Sequence, residues 1–237
     1  IPHQASQDAK ALTLEAWFKP LTRNSFVIAE KRDSTNGGYI LAYDSAENKL
    51  HYAVSNGTAS QTVSVDTPFV SFTSYNQITA ACGADSIRIY VNGLEGKTVY
   101  NEIGEIGLPQ TSLLLGSSIS QNIYGSGNMD EVRFWKYAKT KAEIVRDFNR
   151  TVETNHKDLF LYLNFDDRFD GLTETFDQSN LNEVFNANHA LLLGGAVFTD
   201  SIPSNSQLAL AAYTDADGTY SIGNVRYLGT GQNYTVV

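Results

Sequence analysis

A chain of 237 residues with one cysteine, one methionine, two tryptophans and five prolines leaves several kinds of protein out of account. With Cys82 alone, no intrachain disulfide can form. Cys82 closes the apolar run at 78–82, where a small buried thiol is the ordinary role. As a nucleophile it would need a paired base, and no histidine stands near it in sequence. Basic residues are also scarce: 17 Lys and Arg against 26 Asp and Glu give a formal charge of -9. Their one concentration, Lys136, Lys139, Lys141 and Arg146, is interleaved with Glu143 and Asp147. That pattern reads as a solvated helix face rather than a phosphate-binding surface, so nucleic acid is not an expected partner. No apolar run reaches about 18 residues, so no membrane-spanning helix and no direct membrane insertion are expected. The opening IPHQASQDAK lacks a basic segment followed by an apolar one, and it lacks an initiator Met. It reads as a cut from a longer or processed chain, which leaves export open.

What is plentiful suits strands, notably 13 Tyr and 12 Phe. Leu12, Leu14, Ala16 and Phe18 alternate with Thr13, Glu15, Trp17 and Lys19 before Pro20 stops the run. Further strands are expected at 26–31, 39–44, 49–54, 61–65, 78–82, 86–93, 97–100 and 159–166, many of them bounded by Asn-Gly or Gly-Gly turns. In GNMDEVRFWKYAKTKAEI, 127–144, alternation predicts Met129, Glu131, Arg133 and Trp135 on one face and Asp130, Val132 and Phe134 on the other. Thr140 with Glu143 three residues on forms a capping box for one helix at 141–149, with Ile144, Val145 and Phe148 as its apolar stripe. Many strands and one helix predict an all-β fold: a two-layer antiparallel β-sandwich of jelly-roll type with one short amphipathic helix. The boundaries expected are a sandwich at 1–166, an Asp/Asn-rich extension and linker at 167–207, and a partial small β-module at 208–237, too short to close a core alone.

The pieces LTLEAWFKP, GGYILAYD, ITAACGADSIRIYVNG, TSLLLGSS, GNMDEVRFWKYAKTKAEI and LFLYLNFDD, in that order, resemble the laminin G-like and pentraxin-like branch of the concanavalin A-like jelly rolls. They cover residues 12–167, about two thirds of the chain. FNANHALLLGGAVF and TDADGTYSIGNVRYLGTGQNYTVV resemble passages of very large secreted or surface proteins of bacteria, in which such sandwiches stand beside transthyretin-like or carboxypeptidase-regulatory-like modules. The resemblance implies an extracellular or cell-surface multidomain protein. It departs from the family at Tyr75, where a tryptophan is common, and at GSSISQNIYGSGNMDE, which has too few acids for the double calcium site of pentraxins.

Several sites follow from residue types. Carbohydrate binding needs aromatic platforms beside planar polar groups. The candidates are Tyr39, Tyr43, Tyr52, Tyr90 and Tyr124, with Asn122 and Asn128. Most of these tyrosines lie within strands, which singles out Tyr124 in its glycine-rich loop. Trp17 and Trp135 are expected to pack rather than to bind. Calcium is the one cofactor suggested. DDRFDGLTETFD, 166–177, fails as an EF-hand because Arg168 occupies a ligand position and no helix follows, yet Asp166, Asp167 and Asp170 could form a looser oxygen cage. His3, His51, His156 and His189 are scattered, and no histidine metal site is expected. A glycosidase needs two carboxylates on one surface. Asp130 and Glu131 point apart, which leaves Glu15 with Glu131 from different strands. Three readings result: a non-catalytic extracellular recognition or adhesion module that binds glycans, a structural spacer between neighbouring domains of the same polypeptide, and, weakest, a polysaccharide-degrading enzyme.

Overall fold

The computed structural model describes residues 1–66, 71–118, 121–166, 173–179 and 188–199. The expected module at 208–237, together with Asp167 and Asp170, lies outside the described residues. The strands in chain order are β1 (Leu12–Pro20), β2 (Phe26–Asp33), β3 (Gly37–Asp44), β4 (Lys49–Ser55), β5 (Ser60–Asp66), β6 (Asn76–Cys82), β7 (Ser86–Val91) and β8 (Leu94–Tyr100). Three two-residue strands follow, β9 (Leu114–Leu115), β10 (Ser117–Ser118) and β11 (Ile123–Tyr124), then β12 (Gly127–Trp135), β13 (Leu159–Leu163), β14 (Glu174–Thr175) and β15 (Ala190–Leu191). One α-helix, α1 (Lys141–Asp147), lies between β12 and β13.

Two antiparallel sheets face each other. One has the order β13-β12-β1-β6-β7-β8 and the other β5-β4-β3-β2-β9. Alternation explains the core between them. Leu12, Leu14, Ala16 and Phe18 of β1, Ile78, Ala80 and Cys82 of β6, and Ile87, Ile89 and Val91 of β7 meet Phe26, Ile28, Tyr39, Leu41, Tyr43, Leu50, Tyr52, Val54, Val63 and Val65 from the other sheet. Burying each large apolar side chain contributes about 1.5–3 kcal/mol, so this layer is the main source of stability. The all-β sandwich with a single short helix is the architecture read from the sequence.

The expected alternation in β12 holds for only part of that strand. Thr13 to Glu15 pair with Trp135 to Arg133, but Trp17 then stands opposite Asp130, so β12 carries one extra residue. That residue is Glu131, at φ 52. A bulge of this kind reverses the facing of everything before it. Met129, expected beside Arg133, packs instead on the core, and Asp130, expected inward, shares the outer face with Trp17. The helix also differs from the expected 141–149. It ends at Asp147, and of its predicted stripe Ile144 is fully buried while Val145 is 46% exposed. The capping box of Thr140 and Glu143 is present as expected.

The connection from β12 to β13 folds back over the outer face of the larger sheet. Thr13 Oγ1 donates to the Tyr137 carbonyl at 2.7 Å and accepts from the Lys139 N–H at 2.8 Å. This cover buries alternate β1 residues that would otherwise face water, Thr13 and Glu15 among them. Chain beyond Asp166 is tied down as well. Asp177 accepts backbone N–H groups of Tyr162, Ser179 and Asn188, each at 2.9 Å, and Asn188 Nδ2 donates to the Phe160 carbonyl.

Candidate functional site

At one end of the sandwich β1 leaves for β2, β3 turns into β4, and β12 begins. The loop containing Tyr124 belongs to this rim. Ser117 pairs with Tyr124 and Ser118 with Ile123, making a small hairpin outside the two main sheets. Gly116 N–H donates to the Ile28 carbonyl at 3.1 Å, and Gly125 N–H to the Gly116 carbonyl at 3.0 Å, fixing the hairpin to β2. Gly125 and Gly127 let it sit this close. A Cβ on Gly125 would lie 2.9 Å from Phe26 Cβ, and one on Gly127 would lie 2.4 Å from Phe18 Cζ. The hairpin therefore rests directly on core aromatics, and Tyr124 stands 70% exposed at its edge.

Asn122 occupies the same hairpin, exposed, with φ 53. Asn128 is half-buried at the start of β12, opposite Lys19 of β1. The structure thus puts Tyr124 and Asn122 on one element and Asn128 on the strand that follows it. A bond from Leu21 N–H to the Ser126 carbonyl, 3.0 Å, joins the β1–β2 loop to the same segment. The other tyrosines named from the sequence, Tyr39, Tyr43, Tyr52 and Tyr90, are buried, as strand residues that pack. Trp17 and Trp135 are buried too. The Cys82 thiol is pushed up to about 12 by burial, which keeps it protonated and unreactive at neutral pH.

Glu15 and Glu131 do not form an acid and base pair open to substrate. Lys139 Nζ lies 3.0 Å from both Glu15 carboxylate oxygens, and Trp135 Nε1 donates to Glu15 Oε2 at 2.8 Å. Glu131 accepts from Arg133 Nη2 at 2.6 Å and from the Tyr162 hydroxyl at 2.7 Å. Burial works against the Arg133 charge, but Glu131, Tyr162 and Glu15 more than offset it and hold the guanidinium above its ordinary pKa. Both carboxylates are enclosed and already hydrogen-bonded. The sequence could not show this, because the cover arrives from residues 136–158.

Of the expected cation cage, Asp166 is the described member. Asn164 Nδ2 donates to its carboxylate at 3.2 Å. His51 has acidic neighbours that its place in the sequence does not show. Asp44, Glu47 and His51, from the β3–β4 hairpin, each bring one ligand atom within 4.8 Å of the others. His51 Nδ1 meets Ser64 Oγ at 2.8 Å, and its Nε2 lies 3.6 Å from Glu47 Oε2. Looking for paired histidines missed this grouping, whose spacing comes from a turn through Asn48 at φ 58. Exposed acidic groups of this kind are common without a metal. At the opposite end an open depression of about 450 Å³ is lined by Lys10, Asn56, Thr58 and Glu105 among others. Lys10 and Glu105 already pair there at 2.9 Å.

Arg23 was also missed. Its guanidinium carbon stands 4.7 Å over the Phe72 ring, between two loops whose sequences carry no signal for the pairing.

Residues 1–145 match a laminin G family model described as the concanavalin A-like lectin/glucanases superfamily, and the chain belongs to that family. No curated protein sequence matches it. Among solved structures, a candidate carbohydrate-binding protein from Bacteroides ovatus ATCC 8483 aligns with a TM-score of 0.59 and 19% identity, over 73% of this chain and 51% of its own. The chain therefore spans about half the length of that protein. The ligand-binding domain of botulinum neurotoxin serotype D, solved with N-acetylneuraminic acid, aligns over 60% of this chain and 37% of its own, at 13% identity and a TM-score of 0.48. The binding domain of botulinum neurotoxin DC, solved with rat synaptotagmin II, covers 59% of this chain and 35% of its own at 17% identity, with a TM-score of 0.46. At such identities the likeness is one of fold. The family spans lectins and glucanases, so membership alone does not separate binding from hydrolysis. Among the described residues, no helix is long and apolar enough to cross a membrane.

Proposed function

We propose that the domain is a non-catalytic recognition module that binds glycans at the rim carrying Tyr124. One observation carries this reading: Tyr124 is 70% exposed on a hairpin held against core aromatics, whereas the other candidate tyrosines are buried. A phenol ring on a rigid mount offers an apolar face to a sugar ring, and amides such as those of Asn122 and Asn128 suit its hydroxyls. The burial of Glu15 and Glu131 in ion pairs weighs against a glycosidase built on them. The name of the Bacteroides ovatus protein supports the same ligand class. Extracellular or cell-surface placement, neighbouring domains of the same polypeptide as further partners, and a transthyretin-like or carboxypeptidase-regulatory-like module at 208–237 belong to the same proposal. So do the boundaries 1–166, 167–207 and 208–237.

The test is a glycan array with wild type, Tyr124→Ala, Asn122→Ala and Asn128→Ala. Saturable, competable binding that Tyr124→Ala abolishes without changing the melting temperature supports the site. A wild-type array with no saturable signal overturns it and leaves the spacer reading. Structural calcium at Asp166, Asp167 and Asp170 is part of the proposal on the strength of their clustering in sequence. It predicts a melting temperature lowered by chelator and restored by calcium, since an ion bound only by the folded state stabilises it. An unchanged melting temperature at saturating chelator removes it.

A further inference from the structure

Resting on the reading of the Tyr124 rim as a glycan site, we propose that it selects saccharides carrying an isolated carboxylate, with Arg23 as the group that recognises the acid. Arg23 is exposed and lies with its guanidinium carbon 4.7 Å from the Phe72 centroid. Stacking on an aromatic face holds a guanidinium by its plane and leaves its N–H edges free, the geometry that accepts a carboxylate as a two-point fork. Among the described residues, no carboxylate pairs with Arg23.

The mount beneath it is rigid. Phe72 meets Tyr43 edge-on at 5.6 Å, Tyr43 lies 5.0 Å from Phe26, and Phe26 lies 4.7 Å from Phe18. Gly127 of the Tyr124 segment sits on the Phe18 ring, and Gly125 sits against the Cβ and Cα of Phe26. A single row of aromatics therefore underlies both Arg23 and the Tyr124 hairpin. The Phe72 turn is itself held by Asn76, which accepts from the Ser71 N–H at 3.0 Å and donates to the Ser71 carbonyl at 2.7 Å. The Arg23 loop is anchored on both sides, by Leu21 N–H to the Ser126 carbonyl and by the Ser45 N–H to Ser25 Oγ, 3.0 Å each. Ordering Arg23 thus costs little on binding, because its partner ring and its loop are already placed.

Charge near the rim narrows the ligand. Lys19, opposite Asn128, is a second cation on this side. Asp44 and Glu47 are the acids in the turn that reaches Ser45. Asp44 is engaged by the Ala46 and Glu47 N–H groups, and Glu47 faces His51. Among the described residues neither acid pairs with Arg23, and the chain as a whole carries -9. A densely sulfated or phosphorylated polymer is disfavoured by that net charge, whereas one carboxylate reaching one guanidinium meets a local attraction. The class is therefore a uronic-acid or sialic-acid glycan rather than a polyanion.

The experiment measures binding of purified protein to matched oligosaccharide pairs, uronate and sialoside, each as the free acid and as its methyl ester. Wild type, Arg23→Gln, Arg23→Lys and Tyr124→Ala are compared, with circular dichroism to confirm folding. The free acid is expected to bind on the order of tenfold tighter than its ester in at least one pair. Arg23→Gln is expected to erase that preference, Arg23→Lys to keep only part of it, and Tyr124→Ala to weaken acid and ester together. Which pair shows the preference separates the uronate from the sialoside. Equal binding of acid and ester by wild type, or an unchanged ratio in Arg23→Gln, overturns the role of Arg23 while leaving the Tyr124 site standing. Absence of any acid binding by wild type overturns it as well. Loss of binding in Tyr124→Ala separates failure of the acid preference from failure of the site.

Discussion

Trp135 donates its indole N–H to Glu15 at 2.8 Å across 120 residues of sequence, and Lys139 sits 4.0 Å over the Trp135 ring while pairing with the same carboxylate. Glu15 and Lys139 are each 1% exposed by side chain, so the pair is a buried one. Removing Glu15 leaves the enclosed Lys139 with Asp147, 3.5 Å away, as its remaining carboxylate. Glu15→Gln is expected to cost about 3–5 kcal/mol, and the double variant Glu15→Gln with Lys139→Met to recover part of that. Urea denaturation of the two singles and the double measures it. A single variant within about 0.5 kcal/mol of wild type contradicts the structure of this cover.

Gly127→Ala tests the seating of the rim hairpin. The added methyl would lie 2.4 Å from Phe18 Cζ and 3.0 Å from the Lys19 carbonyl, and Phe18 is only 3% exposed. Neither neighbour can give way freely. A loss of about 1–3 kcal/mol is expected, and any glycan binding at Tyr124 should weaken with it.

Stability should depend on pH through Lys31. Burial lowers its pKa from the ordinary 10.5 to about 8, with Asp8 and Asp33 pulling in the other direction. Its Nζ meets His3 Nδ1 at 3.0 Å. Between about 8 and 10.5 the unfolded chain holds more protons on this group than the folded one. Stability contributed by Lys31 therefore rises with pH across that window, and the full penalty applies below it. Denaturation midpoints measured from pH 7.5 to 10.5, on the order of one point per half unit, should show a smaller rise in Lys31→Met than in wild type. Parallel curves would rule this out.

Asp177 holds chain that follows β13. It accepts three backbone N–H groups, so Asp177→Ala leaves all three without a partner. A cost of about 1–3 kcal/mol or more is expected, together with faster proteolytic loss of the residues after 164. Limited proteolysis followed by mass analysis reads this directly, and an unchanged cleavage rate would show that Asp177 is dispensable.

By itself the sequence determined the architecture. Period-two alternation in residues 12–18, 49–54 and 86–91, Asn-Gly and Gly-Gly turns, and the Thr140 to Glu143 box are local signals, each read within a few residues. For the same reason it singled out Tyr124, the candidate tyrosine in a glycine-rich loop, and set aside those in strands. Tertiary structure alone decided what contacts between distant segments create. One extra residue in β12, Glu131, reverses Met129 and Asp130, because register depends on the partner strand and not on the strand itself. Whether Glu15 faces water or Lys139 depends on a connection that begins 121 residues later, at Lys136. Phe72 reaches Arg23 only when the β1–β2 and β5–β6 connections come together. Local pattern specifies which face a side chain takes, and long-range packing specifies what that face meets.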